Sequence, residues 1–332
     1  MKLNIGLVGL GDHWESRYLP ALRAQSDRFE IRAICAEVAL RATNAAKEFD
    51  AATVDGFRAL STREDIDAVL ILSPEWFGHL PILAACDAGK AVYCASALDL
   101  PIEQAAEVRK HVEETGVAFM VELPRRHAPA TVRLKELIAT RLGKPNLLFC
   151  HLRKEQGARA ANHSASRETS LKHDLLELVD WCRYMVGAEP TSVTGVSHEF
   201  DSKSQYQMMT LQFGESGGPD EVMAQVSCGQ YLRPTWQEAI NFRPPAALQV
   251  NCENGVAFVD LPSSLIWFDE AGRHMESLET ERPVGEQLLG IFHRAVTSLV
   301  RRLDNLEDAY RAISILAKAE ESGRSGRRIQ ID

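Results

Sequence analysis

Residues 4–8 form a short apolar run that ends at once in Gly9-Leu10-Gly11, and apolar runs then alternate with amphipathic stretches as far as residue 122. Short, largely apolar stretches at 4–8, 67–72, 91–94 and 117–121 predict strands, and 29–35 reads as another. Between them, apolar positions recur at helical spacing over 19–25, 41–49, 81–88 and 101–115; the last opens on Pro101, whose missing N–H costs nothing in a first turn. Strands this short, separated by helices of this length, predict right-handed βαβ units and a parallel sheet. From about Pro124 the pattern changes. Strands are expected at 147–152, 192–200, 207–213, 222–228, 248–252, 256–261 and 265–268, several joined by turns such as Glu253-Asn254-Gly255, and this predicts a largely antiparallel sheet. Helices are expected over 130–140, 171–186, 286–302 and 306–323. The fold class is therefore α/β: an N-terminal Rossmann-type parallel sheet over residues 1–122, then an α+β domain on an open, largely antiparallel sheet over 123–332. There is no internal repeat, and the polar stretch 155–170 predicts a mobile lid or loop.

Composition narrows the class without changing this picture. The chain has 332 residues, 45% hydrophobic and 25% charged, which suits a globular protein with two cores. A net charge of −9 argues against a non-specific nucleic-acid binder. No apolar run reaches a membrane span, and the first residues lack a basic segment followed by a cleavage site, so no membrane partner and a cytoplasmic location are expected. Cys35, Cys86, Cys94, Cys150, Cys182, Cys228 and Cys252 are scattered without a C-x-x-C, so neither a disulfide framework nor a metal site is expected. Cys94 reads either as a reactive thiol or as part of a buried strand, AVYC.

The candidate chemistry begins at the first turn. A strand that ends in G-x-G and feeds a helix brings backbone N–H groups and the helix dipole to a pyrophosphate, with Gly9, Gly11, Asp12 and His13 in the turn; the alternative is an ordinary strand-to-helix connection. Trp14 stands where a third glycine would complete the pattern, so it either shifts the turn, projects over the pyrophosphate, or is a core aromatic. Glu37 follows the second strand, where an acidic residue bonds the adenosine ribose, and this favours NAD over NADP. Arg125 and Arg126 follow a strand end and read either as a clamp on an anionic group or as a salt bridge between domains.

Several segments together resemble the glucose–fructose oxidoreductase / inositol dehydrogenase / MocA (Gfo/Idh/MocA) family. They are GLVGLG near the start, DIDAVLILSP at 65–74, ILAACDAGKAVYC at 82–94, EQAAEVRKHVEETGVAFMV at 103–121, RRHAPATVRLKELI at 125–138 and LEDAYRAISILAKAEESGRSGRRIQI at 306–331. The resemblance implies a nicotinamide cofactor, a small-molecule substrate met at a cleft between the two domains, and a homo-oligomer formed through the C-terminal sheet. It also makes the departures visible. Where relatives read Glu-Lys-Pro, this chain has Ala95, Ser96 and Ala97; serine has a hydroxyl but no charge to stabilise an alkoxide. Where relatives carry Asp-x-x-x-His, it has His173 and Glu177, nearly reversed but still on one helical face. As an acid/base pair the carboxylate would favour imidazolium; as a solvated i,i+4 pair the two need no function; as metal ligands they lack a third partner. The family's Thr-Pro-Asn-x-x-His becomes Ser73-Pro74-Glu75-Trp76-Phe77-Gly78 with His79 one position late, and Pro124 replaces an asparagine. Ser73, Pro74 and His79 are expected at the cofactor, and Trp76 either stacks on a cofactor ring or packs in the core. Two functions stay open: an NAD(P)-dependent oxidoreductase that transfers a hydride to or from a sugar, cyclitol or imine, in which Ser96, His173 and Glu177 handle protons or bind substrate and Arg125 and Arg126 position it, or a non-catalytic dinucleotide or sugar sensor.

Overall fold

A computed structural model describes residues 1–155, 167–201, 204–233, 235–236, 238–239, 242, 244–298 and 304–331. They fall into two units, each with its own sheet.

The first unit takes Met1–Leu123 together with Pro283–Ile313. Its strands are β1 (Leu3–Val8), β2 (Phe29–Cys35), β3 (Ala52–Thr53), β4 (Ala68–Ile71), β5 (Ala91–Cys94) and β6 (Phe119–Val121), in the order β3-β2-β1-β4-β5-β6 with every neighbouring pair parallel. The strand order reverses beside β1, which opens a crevice at the carboxyl ends of β1 and β4 where open α/β sheets take their ligands. Every residue of β4 and β5 is buried, which is why these strands read as unbroken apolar runs. The helices between the strands are α1 (Leu19–Ala24), α2 (Ala39–Phe49), α3 (Phe57–Ser61), α4 (Pro74–Phe77), α5 (Leu80–Asp87) and α6 (Ile102–Thr115). The strand β3 and the helices α3 and α4 were absent from the expected pattern, because elements of two to five residues hold too little periodicity to read.

The second unit is built from Pro124–Arg159, Ser170–Arg282 and Ser314–Asp332. After α7 (Pro129–Leu137), its sheet contains β7 (Pro145–Glu155), β8 (Pro190–Asp201), β9 (Ser204–Phe213), β10 (Val222–Leu232), β11 (Leu248–Cys252), β12 (Gly255–Asp260), β13 (Ser264–Asp269), β14 (Gly272–Ser277) and β15 (Ile329–Gln330). The order is β14-β13-β12-β11-β7-β10-β9-β8-β15, antiparallel except for the pair β7–β10. One face of this sheet is covered by α8 (Arg167–Val186): the Cys150 and Cys182 sulfurs lie 3.4 Å apart, and Leu148, Ala224, Val226, Cys228, Leu248 and Val250 are fully buried. Val196, Met223, Phe268 and Met275 remain exposed. Of the stretch 155–170, residues 156–166 lie outside the described residues; the rest is not loop, since Glu155 closes β7 and 167–170 open α8.

The helix α9 (Val284–Thr297) packs in the first unit, although it follows the second domain's strands in sequence. Its stripe Leu288, Leu289 and Phe292 completes the core formed by Leu3, Ile5, Leu7, Leu70 and Tyr93. The helix expected over 286–302 ends at Thr297, because Ser298 is already extended; residues 299–302 lie outside the described residues. The last helix is α10 (Asp304–Ser325). No helix among the described residues is long and apolar enough to cross a membrane.

Candidate functional site

The turn after β1 is built as a cradle. Gly9 has φ 73° and Gly11 φ 61°, a region that costs a residue with a Cβ about 1–2 kcal/mol. A Cβ on Gly9 would stand 2.5 Å from the Ser73 hydroxyl, and one on Gly11 would stand 2.2 Å from the Leu72 carbonyl oxygen. The turn therefore lies directly against the end of β4. Arg41 donates to the Gly11 carbonyl at 3.2 Å and lies 3.5 Å from Glu37 Oε1. The Glu37 side chain is 6% exposed, and its second oxygen, Oε2, has no hydrogen-bond partner; the buried Ser73 hydroxyl has none either. Buried polar atoms are rarely left this way: the carboxylate oxygen is an acceptor without a donor, and the hydroxyl has a proton to give.

The other residues expected at the cofactor are placed differently. Trp14 is 4% exposed and meets Phe49 edge-on at 6.3 Å, so it is a core aromatic and does not project over a pyrophosphate. Apolar burial decides its position. Asp12 and His13 are exposed in the turn, and the His13 carbonyl accepts the Arg17 and Tyr18 N–H groups at the start of the following helical turn. Pro74 is buried and opens α4; Trp76 on the same helix is 51% exposed, and His79 lies 3.3 Å from Glu107. Past β5, Ser96, Ala97 and Leu98 have φ of 63°, 49° and 57°, three left-handed residues in a row with the Asp99 N–H closing onto the Ser96 carbonyl. Ser96 thus sits on a reshaped, strained turn. Cys94 is fully buried and its thiol is pushed up by burial, which leaves it a packed strand residue rather than a reactive thiol.

In the second unit, α8 gathers the charged candidates into a row. His173 Nε2 lies 3.5 Å from Glu177 Oε1, and Arg125 Nε donates to Glu177 Oε2 at 3.0 Å while its guanidinium lies over the Trp181 ring. Arg126 binds both Asp180 oxygens, at 2.7 and 2.5 Å. Both arginines are thus engaged by carboxylates of their own unit; their partners lie 52 and 54 residues away in sequence, beyond the reach of local pattern. His173 Nδ1 is buried with no hydrogen-bond partner. Two further polar groups were missed from sequence. Lys154 on β7 pairs with Asp174 on α8, and Gln230 on β10, 1% exposed, has no partner for either amide atom. Among the described residues no cluster of His, Cys, Asp and Glu could hold a metal ion.

Burial and the neighbouring Arg126 charge push the His127 imidazole down to about 4. Between that value and the ordinary 6.5 the unfolded chain binds a proton that the folded one refuses, so stability is complete above pH 6.5 and falls as the pH drops toward 4. His127→Asn should remove about 2–3 kcal/mol of this acid sensitivity. Urea midpoints of both proteins at pH 7 and pH 4.5 check it; an equal loss in the two would refute it.

A family model described as "Oxidoreductase family, NAD-binding Rossmann fold" matches residues 3–123. The scyllo-inositol 2-dehydrogenase (NAD(+)) of Bacillus subtilis is 35% identical over 135 residues, 39% of this chain and 38% of that protein. The D-xylose 1-dehydrogenase (NADP(+)) 2 of Haloferax volcanii is 31% identical over 139 residues, 42% of each. The chain thus spans about two fifths of the length of these curated relatives. Among solved structures, a levoglucosan dehydrogenase in complex with NADH and levoglucosan matches with a TM-score of 0.83 and 18% identity over 100% of both chains, a likeness of fold.

Proposed function

We propose, for a chain that belongs to the Gfo/Idh/MocA oxidoreductase family, that it oxidises or reduces a small polyhydroxy substrate with a nicotinamide dinucleotide, and that His173 handles the proton. The single observation that carries this reading is the His173 imidazole: Nε2 faces Glu177, while Nδ1 is buried and without a partner. With the Nε2 proton turned to Glu177, Nδ1 is the lone-pair nitrogen that takes a hydroxyl proton. Glu177 is held from its other side by Arg125, which fixes the imidazole's orientation. Ser96 supplies a hydroxyl in place of the family's lysine, and Arg126, tied to Asp180, supports the helix rather than gripping substrate.

Gly9 and Gly11 would hold the cofactor's pyrophosphate, with the Ser73 hydroxyl beside it, and Glu37 Oε2 would accept from the adenosine ribose. When bound, the dinucleotide accepts or donates the hydride. The Glu37 carboxylate favours NAD over NADP, since a 2′-phosphate would meet a like charge. Relatives named for each cofactor occur, for NAD(+) and for NADP(+). A homo-oligomer formed through the exposed sheet face around Met223 and Phe268 belongs to the same reading.

The test is a fluorescence titration with NADH and NADPH, then an absorbance screen of polyols, ketoses and imines. NADH should bind more tightly, a polyol should turn over, and His173→Ala should lower kcat by roughly 10²–10⁴ while NADH affinity holds. Cofactor binding with no turnover on any substrate would favour the sensor, the reading to which the missing lysine at position 96 points.

A further inference from the structure

We infer that Arg125 is a positioning residue for His173 that acts through Glu177: it takes up the carboxylate, so that Glu177 orients the imidazole without trapping it as imidazolium. This deepens the reading above and rests on it only for the role of His173. A carboxylate one helical turn from an imidazole favours the protonated ring, which has no lone pair left to take a proton. The pair His173–Glu177 therefore needs a counterweight, and the fold supplies one. Residues 173, 177 and 181 recur every four along α8 and share one stripe. Arg125, from the turn Pro124–His127, lies along that stripe: Nε donates to Glu177 Oε2 at 3.0 Å, and the guanidinium carbon stands 5.5 Å from the centre of the Trp181 ring. The guanidinium is the nearer partner of the carboxylate, since His173 Nε2 stands 3.5 Å from the other oxygen. Both side chains of the ion pair are only 15% exposed, so water and salt screen them little.

The seat of Arg125 is itself fixed. Trp181 is fully buried, and its indole N–H donates to the buried Thr131 hydroxyl of α7 at 3.1 Å, which holds the ring on which the guanidinium lies. A flat guanidinium can stack there and give Nε to a carboxylate at once; a lysine ammonium cannot. Among the described residues, the other charges beside this stripe are paired with one another. Lys154 of β7 pairs with Asp174, and Arg126 with Asp180. The Cys228 thiol of β10 feels Asp174, Lys154 and Arg125, but burial pushes it up, so it adds no charge at neutral pH. With Arg125 removed, the carboxylate can close on Nε2 to about 2.8 Å, where a charge-assisted bond holds the protonated ring.

NMR titration of the His173 ring nitrogens in the full chain tests this without any substrate. In the neutral wild-type ring the proton should sit on Nε2 and the lone pair on Nδ1. Arg125→Gln should raise the pH at which the ring titrates by about 0.5–1. Arg125→Lys keeps the charge but not the stack, and should move it the same way by less. In a Glu177→Gln background, Arg125→Gln should move it less than half as far, because the effect passes through the carboxylate. A wild-type ring protonated on Nδ1, or equal movement with and without the carboxylate, would overturn the inference. So would an unmoved ring in Arg125→Gln, or in Arg125→Lys should the glutamine variant not fold. On a substrate that turns over, Arg125→Gln should lower kcat roughly twofold or more at pH 7 and recover most of it at pH 9, with KM and NADH affinity unchanged. The expected titrations without turnover on any substrate would uphold the inference and defeat the oxidoreductase reading. Turnover with a ring indifferent to Arg125 would do the reverse.

Discussion

Glu122→Ala should destabilise the first unit by about 3 kcal/mol or more. Glu122 follows β6 directly, is 1% exposed, and its N–H donates to the Cys94 carbonyl at 2.8 Å. Its carboxylate accepts from Arg17 and from the Tyr18 hydroxyl, the latter 2% exposed. Burial first, and then the Glu122 charge, push the Tyr18 phenol well above its ordinary range, so this hydroxyl stays a donor at any working pH. Removing the carboxylate leaves a guanidinium only 23% exposed and a buried phenol both without it. Breaking a buried pair costs far more than the pair contributes against an apolar replacement, because the surviving charge remains desolvated. Tyr18→Phe, which takes one donor from the buried carboxylate but leaves Arg17 in place, should cost about 2 kcal/mol. Urea unfolding of the three proteins at one pH measures this. Equal midpoints for wild type and Glu122→Ala would show the carboxylate to be solvated and the argument wrong.

Gly11→Ala should lower dinucleotide affinity roughly a hundredfold or more, since even about 3 kcal/mol of misfit suffices. Two penalties add at this residue. Its φ of 61° disfavours any Cβ, and that Cβ would stand 2.2 Å from a backbone oxygen that no rotamer change can move. The turn must shift, and the N–H groups proposed to hold the pyrophosphate shift with it. Gly9→Ala is strained in the same way, but the two nearest atoms it meets, at 2.5 Å, belong to the Ser73 side chain. NADH fluorescence titration, with circular dichroism to confirm the fold, decides the matter. Wild-type affinity in a folded Gly11→Ala protein would mean that the dinucleotide sits elsewhere.

How much of this was legible in the sequence depended on distance along the chain. Strand 91–94 appears as read because burial on both faces leaves a continuous apolar run, and 29–35 because its buried residues Phe29, Ile31 and Ala33 alternate with Glu30 and Arg32 at the strand period. The expected strands 147–152 and 222–228 stop where apolar residues stop, whereas β7 continues to Glu155 and β10 to Leu232. Carried on past the apolar run, the two-residue alternation through Cys150 and Leu152 reaches Lys154, and that through Val226 and Cys228 reaches Gln230. Both polar residues were within reach of that rule. Glu122 was not: a lone carboxylate after a strand reads as surface, and only the chain's return through Arg17 and Tyr18, more than a hundred residues earlier, makes it a buried acceptor. The pair His173–Glu177 was legible because helical spacing is local, while its support from Arg125 was not.

The glycine turn is fixed from several sides: the Gly9 N–H donates to the Cys35 carbonyl on β2, the end of β4 lies under Gly11, and Arg41 on α2 holds the Gly11 carbonyl. As the proposed dinucleotide seat, such a turn has little left to order when a ligand arrives. Association rates for two dinucleotides should then be close, and discrimination between them should appear in residence time, in how long each stays once seated.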